Sequence, residues 1–246
     1  MKTYCFANKK GGCSKTTLNI ETAFYLALQG KKTIIIDGDP QGNATERFNL
    51  ENFDNELVDV LQGNCYAKEA IIKTAEYLDI IPTNKYNSKY RDFADMMIHK
   101  EPHIFSELVE VLSGMDYNYC FIDINPSDSN LERSILGAVD EIISPVQPQA
   151  FSFTGVDSFI DFVESIKKQF RKNIQFNKIV ISMLDNRIAG HNVMKEKLES
   201  LPNYKTFLFH DCADISNSQI VSKSVFEFAP QSRSTEEIKS IAESLR

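Results

Sequence analysis

The sequence predicts an α/β fold: one doubly wound domain spanning 1–246, with a mostly parallel sheet flanked by helices. Three observations predict it. Runs such as Thr33-Ile34-Ile35-Ile36 and Tyr119-Cys120-Phe121-Ile122 are unbroken by charge, as in strands buried on both faces of a parallel sheet. Segments with apolar residues at helical spacing, among them Leu18 to Leu28 and Val156 to Phe170, alternate with these runs. The runs end in turns carrying Gly, Pro, Asp and Asn, at the strand ends where such sheets bind ligands. No repeat, low-complexity tract or linker divides the 246 residues, so the alternation argues for a single unit.

Apolar residues make up 42% of the chain, enough for a full core, and the net charge is −7. An acidic chain binds nucleic acid only through a local basic patch. The five cysteines, Cys5, Cys13, Cys65, Cys120 and Cys212, show no CxxC and no metal-ligand spacing. That pattern fits a reduced cytoplasm, with most of them as small core residues. No basic segment followed by an apolar one opens the sequence, and no run reaches membrane-spanning length. Neither a signal peptide nor a membrane span is therefore expected.

Taken in order, Tyr4-Cys5-Phe6-Ala7 reads as a buried first strand. Asn8-Lys9-Lys10-Gly11-Gly12-Cys13-Ser14-Lys15-Thr16-Thr17 follows, and then the helix of Leu18 to Leu28, with a C-cap at Gly30-Lys31-Lys32. A strand, a glycine turn and a helix N-terminus make an anion cradle of backbone N–H groups and helix dipole. Lys15 is placed to reach β- and γ-phosphates, and the Thr16 hydroxyl to ligate Mg²⁺. The strict G-x-x-x-x-G-K-[ST] pattern is not met, because its glycine positions hold Lys9 and Ser14. The strand Thr33 to Ile36 ends in Asp37-Gly38-Asp39-Pro40-Gln41-Gly42-Asn43. Asp37 and Asp39, two apart, project to one side of an extended chain. The strand Tyr119 to Asp123 also ends in an acid, a Mg²⁺-binding candidate that acts through water.

These motifs resemble those of the ParA/MinD family of deviant Walker A ATPases, closest to the ParA-type DNA partition proteins. The resemblance rests on Lys-Gly-Gly-x-x-Lys-Thr-Thr with the extra Lys10, on a complete D-x-D-P-Q-G-N at 37–43, and on 119–127, which is similar to D-x-P-P-S with Asn125 for the first proline. It implies that Lys10 reaches across a dimer to the partner's nucleotide, that Asp39 positions the attacking water, and that Asp37 supports Mg²⁺ and the loop. Ser14 stands where the family usually has glycine. If φ there is positive, serine costs roughly 1–2 kcal/mol.

The remainder is less motif-rich. A short helix is expected over Glu56 to Leu61, a strand over Tyr77 to Ile81 closing on Pro82-Thr83-Asn84, and a helix over Ile104 to Leu112 capped by Gly114. Lys85, Lys89 and Arg91 read as a solvated face. A helix over Leu131 to Ala138 leads to a strand, Glu141 to Val146, which runs into the family-like Gln147 to Ser152. Strands follow at Lys178 to Leu184 and Lys205 to Phe209, then a closing helix at Glu236 to Leu245. The resemblance places the adenine between Met183 with the loop after that strand, Asp185-Asn186-Arg187, and the turn His210-Asp211-Cys212, where the family usually has Pro-Arg.

The resemblance thus implies an ATP- and Mg²⁺-dependent homodimer that hydrolyses ATP. It also implies non-specific DNA binding and stimulation by a ParB-like or other DNA- or cargo-bound adaptor, in segregation of a plasmid or other mobile element. The expected cradle is Lys10 to Thr17, with Thr16, Asp37 and Asp123 on the metal. The densest cationic run, Lys167, Lys168, Arg171, Lys172 and Lys178, is the candidate DNA patch, with Lys223 and Arg233 as a second arm. A MinD-like membrane-surface ATPase would need a basic amphipathic tail, whereas 236–246 carries three glutamates. An iron-protein reductase would need loop cysteines, whereas Cys120 lies within a strand. A metabolic P-loop ligase or kinase would not need Lys10.

Overall fold

The computed structural model describes residues 1–96, 100–126, 129–149 and 152–245. β1 (Lys2–Phe6) leads through the glycine turn into α1 (Lys15–Leu28), β2 (Thr33–Asp37) and the short helices α2 (Asn43–Arg47), α3 (Leu57–Leu61) and α4 (Ala67–Ala70). β3 (Ile72–Ala75) and β4 (Leu78–Ile81) form a hairpin, followed by α5 (Lys89–Met96), α6 (Ile104–Ser113) and β5 (Tyr119–Asp123). Then come α7 (Asn130–Ala138), β6 (Glu141–Val146), α8 (Ser152–Phe170), β7 (Gln175–Leu184), α9 (Ala189–Glu199) and β8 (Lys205–His210). α10 (Ala213–Ile220), α11 (Val225–Phe228) and α12 (Arg233–Glu243) end the chain.

Among the described residues eight strands run in the order β3-β4-β2-β5-β1-β6-β7-β8, and the β3–β4 pair alone is antiparallel. β1 therefore sits between β5 and β6, and β2 pairs with β5 so that Asp37 lies opposite Asp123. This register gathers the phosphate turn and both acid-bearing loops at one end of adjacent strands. All five residues of β2 and all six of β6 are buried, as expected for strands covered on both faces. One face packs under α3 and α5–α8 through residues such as Leu57, Phe105 and Phe159. The other packs under α1 and α12 through Phe24, Ile238 and Ile241.

Local signals behave as their chemistry dictates. α1 ends with Gly30 at φ +70, the Gly30 N–H donating to Ala27 O (2.8 Å) and the Lys31 N–H to Leu26 O (3.1 Å). This is the paired bonding of a left-handed C-cap. Ser129 caps α7 by accepting from the Glu132 N–H, and Ser232 caps α12 by accepting from Thr235. Several boundaries differ from the sequence expectation. α1 begins at Lys15, β4 at Leu78 because Tyr77 turns with φ +63, β7 at Gln175, and α12 at Arg233. α2, α4, β3, α5, α9, α10 and α11 carry no expectation above. Ser127, Ala150, Phe151 and Arg246 lie outside the described residues.

The cationic run departs most from expectation. Lys178 is not a surface cation: its side chain is 12% exposed and pairs with the buried Glu141 on the neighbouring strand. Lys172 pairs with Asp140 (3.4 Å) and donates to Ala138 O, and Lys167 pairs with Glu164 (2.7 Å). Arg233 donates to Glu237 and to His210. Opposite charges three residues away on a helix, or on an adjacent strand, lower the net positive charge offered to a partner. Lys168, Arg171 and Lys223 remain exposed.

Candidate functional site

A cleft of about 410 Å³ opens at the end of β1, lined by Gly11 to Thr17, Asp39, Asn43, Met183, His210, Asp211 and Cys212. Its phosphate end is built by the turn before α1. Gly12 (φ +70) and Ser14 (φ +67) both take the left-handed conformation, which turns successive N–H groups toward one centre. Added Cβ atoms at Gly11 and Gly12 would meet nothing within 4 Å, so the space over the turn is open to a ligand. The strained serine is the condition under which the cost above applies.

Lys15 is 6% exposed and folds over the turn, donating to Lys10 O (2.9 Å) and toward Cys13 Sγ (3.7 Å). Cys13 Sγ in turn donates to Lys10 O (3.2 Å), and burial pushes its thiol pKa up. The Lys10 ammonium is exposed and donates to Gln149 Oε1 in the loop after β6. Gln147, from the same loop, donates to Gly12 O (2.7 Å) and contacts Met183 Sδ.

Three carboxylates approach from β2 and β5. Asp123 is fully buried, with Oδ2 accepting from Thr16 Oγ1 (2.7 Å) and Oδ1 from Asn19 Nδ2 (2.8 Å). Burial lifts its carboxyl pKa to about 6, against those two hydrogen bonds, which pull it down. Asp37 is also fully buried, and its Oδ2 accepts from the Thr45 N–H (2.7 Å) and hydroxyl (2.6 Å). Burial first, and the Asp123 charge second, hold it well above the carboxylate range. Asp37 thus faces α2 rather than the cleft, and its oxygens hold the loop. Asp39 faces the cleft; it accepts from the Gln41 N–H (2.8 Å) and from Asn43 Nδ2 (2.9 Å), and burial raises it too. Gly38 lets β2 approach β5: its N–H donates to Asp123 O (3.0 Å), and a Cβ there would lie 2.7 Å from that oxygen.

At the other end, Met183 (φ +54) and the turn after β8 form the walls. His210 is 5% exposed and fixed from three sides. Arg233 can only donate, so Nε2 accepts from it (2.6 Å) and faces the Asn186 amide (3.2 Å), while Nδ1–H donates to Glu237 (2.6 Å). Arg233 therefore backs this wall through His210. The sequence reading missed Ile215, Ser216 and Gln219 of α10, which also line the cleft. Its weak amphipathicity offered no signal.

The donor set fits a nucleotide with a hard cation. Among the described residues no three His, Cys, Asp or Glu side chains converge on one point. A cation here would take the Thr16 hydroxyl, waters anchored by Asp123 and phosphate oxygens, which is how Mg²⁺ is commonly held.

Fold and cradle together define a P-loop nucleotide-binding protein of the α/β class. A family model described as an AAA domain matches residues 1–176, and the chain belongs to that family, with ParA family relatives. It is 29% identical over 245 residues to the sporulation initiation inhibitor protein Soj of Bacillus subtilis, covering 96% of this chain and 94% of that protein. It is equally 29% identical to the virulence plasmid ParA family protein pGP5-D of Chlamydia trachomatis, over 97% and 91% of the two chains. The septum site-determining protein MinD of Pyrococcus horikoshii, solved with Mg-ADP, superposes with a TM-score of 0.80 at 17% identity over 99% and 95% of the chains. That likeness speaks for the fold.

Proposed function

We propose that the chain is an ATP-dependent dimerising switch ATPase of the ParA type, acting in the cytoplasm to segregate plasmid or other mobile-element DNA. The observation that carries the reading is the cleft itself: a lysine-bearing phosphate turn, a Thr16–Asp123 pair beneath it and a second acid, Asp39, facing the same space. In this reading the whole chain, 1–246, works as one ATPase domain, and Mg²⁺ supplies charge neutralisation on the phosphates when bound. Lys15 binds the β- and γ-phosphates, Thr16 and Asp123 hold the cation and its water, and Asp37 keeps the loop in place. Asp39 orients a water that adds to the γ-phosphorus as the bond to the bridging oxygen breaks, giving ADP and phosphate. Lys10, exposed outside the cleft lining, enters the partner's site and offsets charge in the transition state, a role for which cationic groups in related NTPases are worth large factors.

Homodimerisation with ATP, non-specific DNA and a ParB-like or other cargo-bound adaptor complete the cycle. The relatives named virulence plasmid ParA family protein pGP5-D and chromosome partitioning protein ParA support partition over small-molecule chemistry. Burial of Ile238, Ile241 and Leu245 against the core supports DNA over a membrane surface, since the last helix has spent its apolar face on α1. The test is Asp39→Ala protein with Mg-ATP in gel filtration with light scattering. A dimer that dissociates with Mg-ADP is expected; a monomer under both conditions refutes the switch.

A further inference from the structure

α2 is five residues long and tethered at both ends. At its start, Asn43 Nδ2 donates to Asp39 Oδ2 (2.9 Å), and Thr45 holds Asp37 through its N–H and hydroxyl. At its end, Arg47 Nη2 donates to Glu21 Oε1 (3.1 Å) and to the carbonyl of Lys223. Glu21 lies on α1, six residues after Lys15, and is 1% exposed. Its second oxygen accepts from Ser224 Oγ (2.5 Å) and the Val225 N–H (3.0 Å) at the start of α11. Gln219, which lines the cleft, adds a parallel link by donating to Thr17 Oγ1 (3.0 Å).

A buried ion pair is a weak source of stability, because desolvation opposes the Coulombic gain; its best-attested use is to fix one arrangement among several. Glu21 fixes three elements at once: α1, α2 and the entry to α11. A rigid helical turn joins that junction to Asp39, so a displacement at one end of α2 is felt at the other.

We propose that Arg47 is a positioning residue: held between Glu21 and the Lys223 carbonyl, it sets α2 and thereby Asp39, and it transmits the state of Asp39 to the segment 219–228. This rests on the nucleotide reading above. When Asp39 turns from Asn43 to the water it orients at the bound nucleotide, α2 loses its N-terminal tether and shifts against Glu21. The Ser224 and Val225 hydrogen bonds respond, beside the exposed Lys223.

The test is hydrogen exchange and steady-state kinetics on the full chain. In the wild type, exchange over 219–228 should differ about threefold or more between Mg-AMPPNP and Mg-ADP, because local opening is set by a few bonds. Arg47→Ala should remove that difference and lower kcat about tenfold while KM for ATP stays within about twofold, since it misplaces Asp39 without touching phosphate binding. Arg47→Lys should restore part of both. Glu21→Gln, which keeps the shape of the junction, should also lose the nucleotide dependence, so the answer survives if Arg47→Ala does not fold. Equal exchange in the two nucleotide states, or a wild-type kcat in Arg47→Ala, overturns the proposal. Calorimetry showing no Mg-ATP binding by wild type would instead fail the underlying reading.

Discussion

Thr16 Oγ1 and Asp123 Oδ2 lie 2.7 Å apart and share a hydrogen bond at the base of the cleft. The pair joins the first turn of α1 to the end of β5, and it buries a carboxylate that water would otherwise stabilise.

This gives the protein a pH signature. The Asp123 carboxyl titrates near 6 when folded, above its ordinary 3.8, so the folded state binds more protons in that interval. Stability should therefore fall as pH rises from about 4 through about 6, by about 3 kcal/mol from this group. Asp37, Asp39 and Glu21 are shifted the same way. Urea denaturation between about pH 4 and pH 7 should show the slope, and Asp123→Asn should flatten it. A slope unchanged in that variant would place the effect elsewhere.

Ser14→Gly should stabilise the protein. Serine in the left-handed region costs roughly 1–2 kcal/mol, and glycine returns about half of that gain as chain entropy. A net rise of about 0.5–1 kcal/mol should appear as a higher urea midpoint with unchanged m-value.

Lys10→Ala should weaken the ATP dimer and slow turnover while leaving monomer binding of ATP nearly intact. Lys10 is exposed and donates to Gln149, whereas the buried Lys15 sits in the turn. Lys15→Ala should abolish binding itself. Calorimetry on both variants beside a phosphate-release assay separates the two roles, and wild-type turnover by Lys10→Ala would remove the cross-dimer step.

DNA binding should depend on Lys168 and Arg171, which stay exposed. In ATP-bound Asp39→Ala protein, Lys168→Glu with Arg171→Glu should shallow the salt dependence, since each phosphate neutralised contributes a log–log slope of roughly −0.9. Lys178→Ala should leave the slope unchanged and lower stability, because it strands the buried Glu141. Equal slopes in wild type and the double variant would move the patch elsewhere.

What could be read from the chain follows from the range of the forces involved. Strands covered on both faces leave uninterrupted apolar runs, so β2, β5 and β6 were legible, as were the acids at two of their ends. The phosphate turn is a local motif, and Gly11 to Thr17 line the cleft together. β3 was not legible: four residues with mixed exposure at a sheet edge carry no periodic signal. Long-range charge pairing was equally hidden. Glu141 and Lys178 are far apart in sequence and meet only because β6 and β7 are neighbours. The same holds for Glu21 with Arg47, and for His210 with Glu237 and Arg233.

The antiparallel β3 has a consequence for how the molecule keeps to itself. A sheet whose outer strand is exposed invites another chain to extend it. Here that border is a short hairpin strand bearing Lys73 and a register shift between Lys73 and Ala75. The charge and irregular pairing of so short a strand discourage growth of the sheet from this border. The dimer proposed above would form instead at the nucleotide face, away from this border.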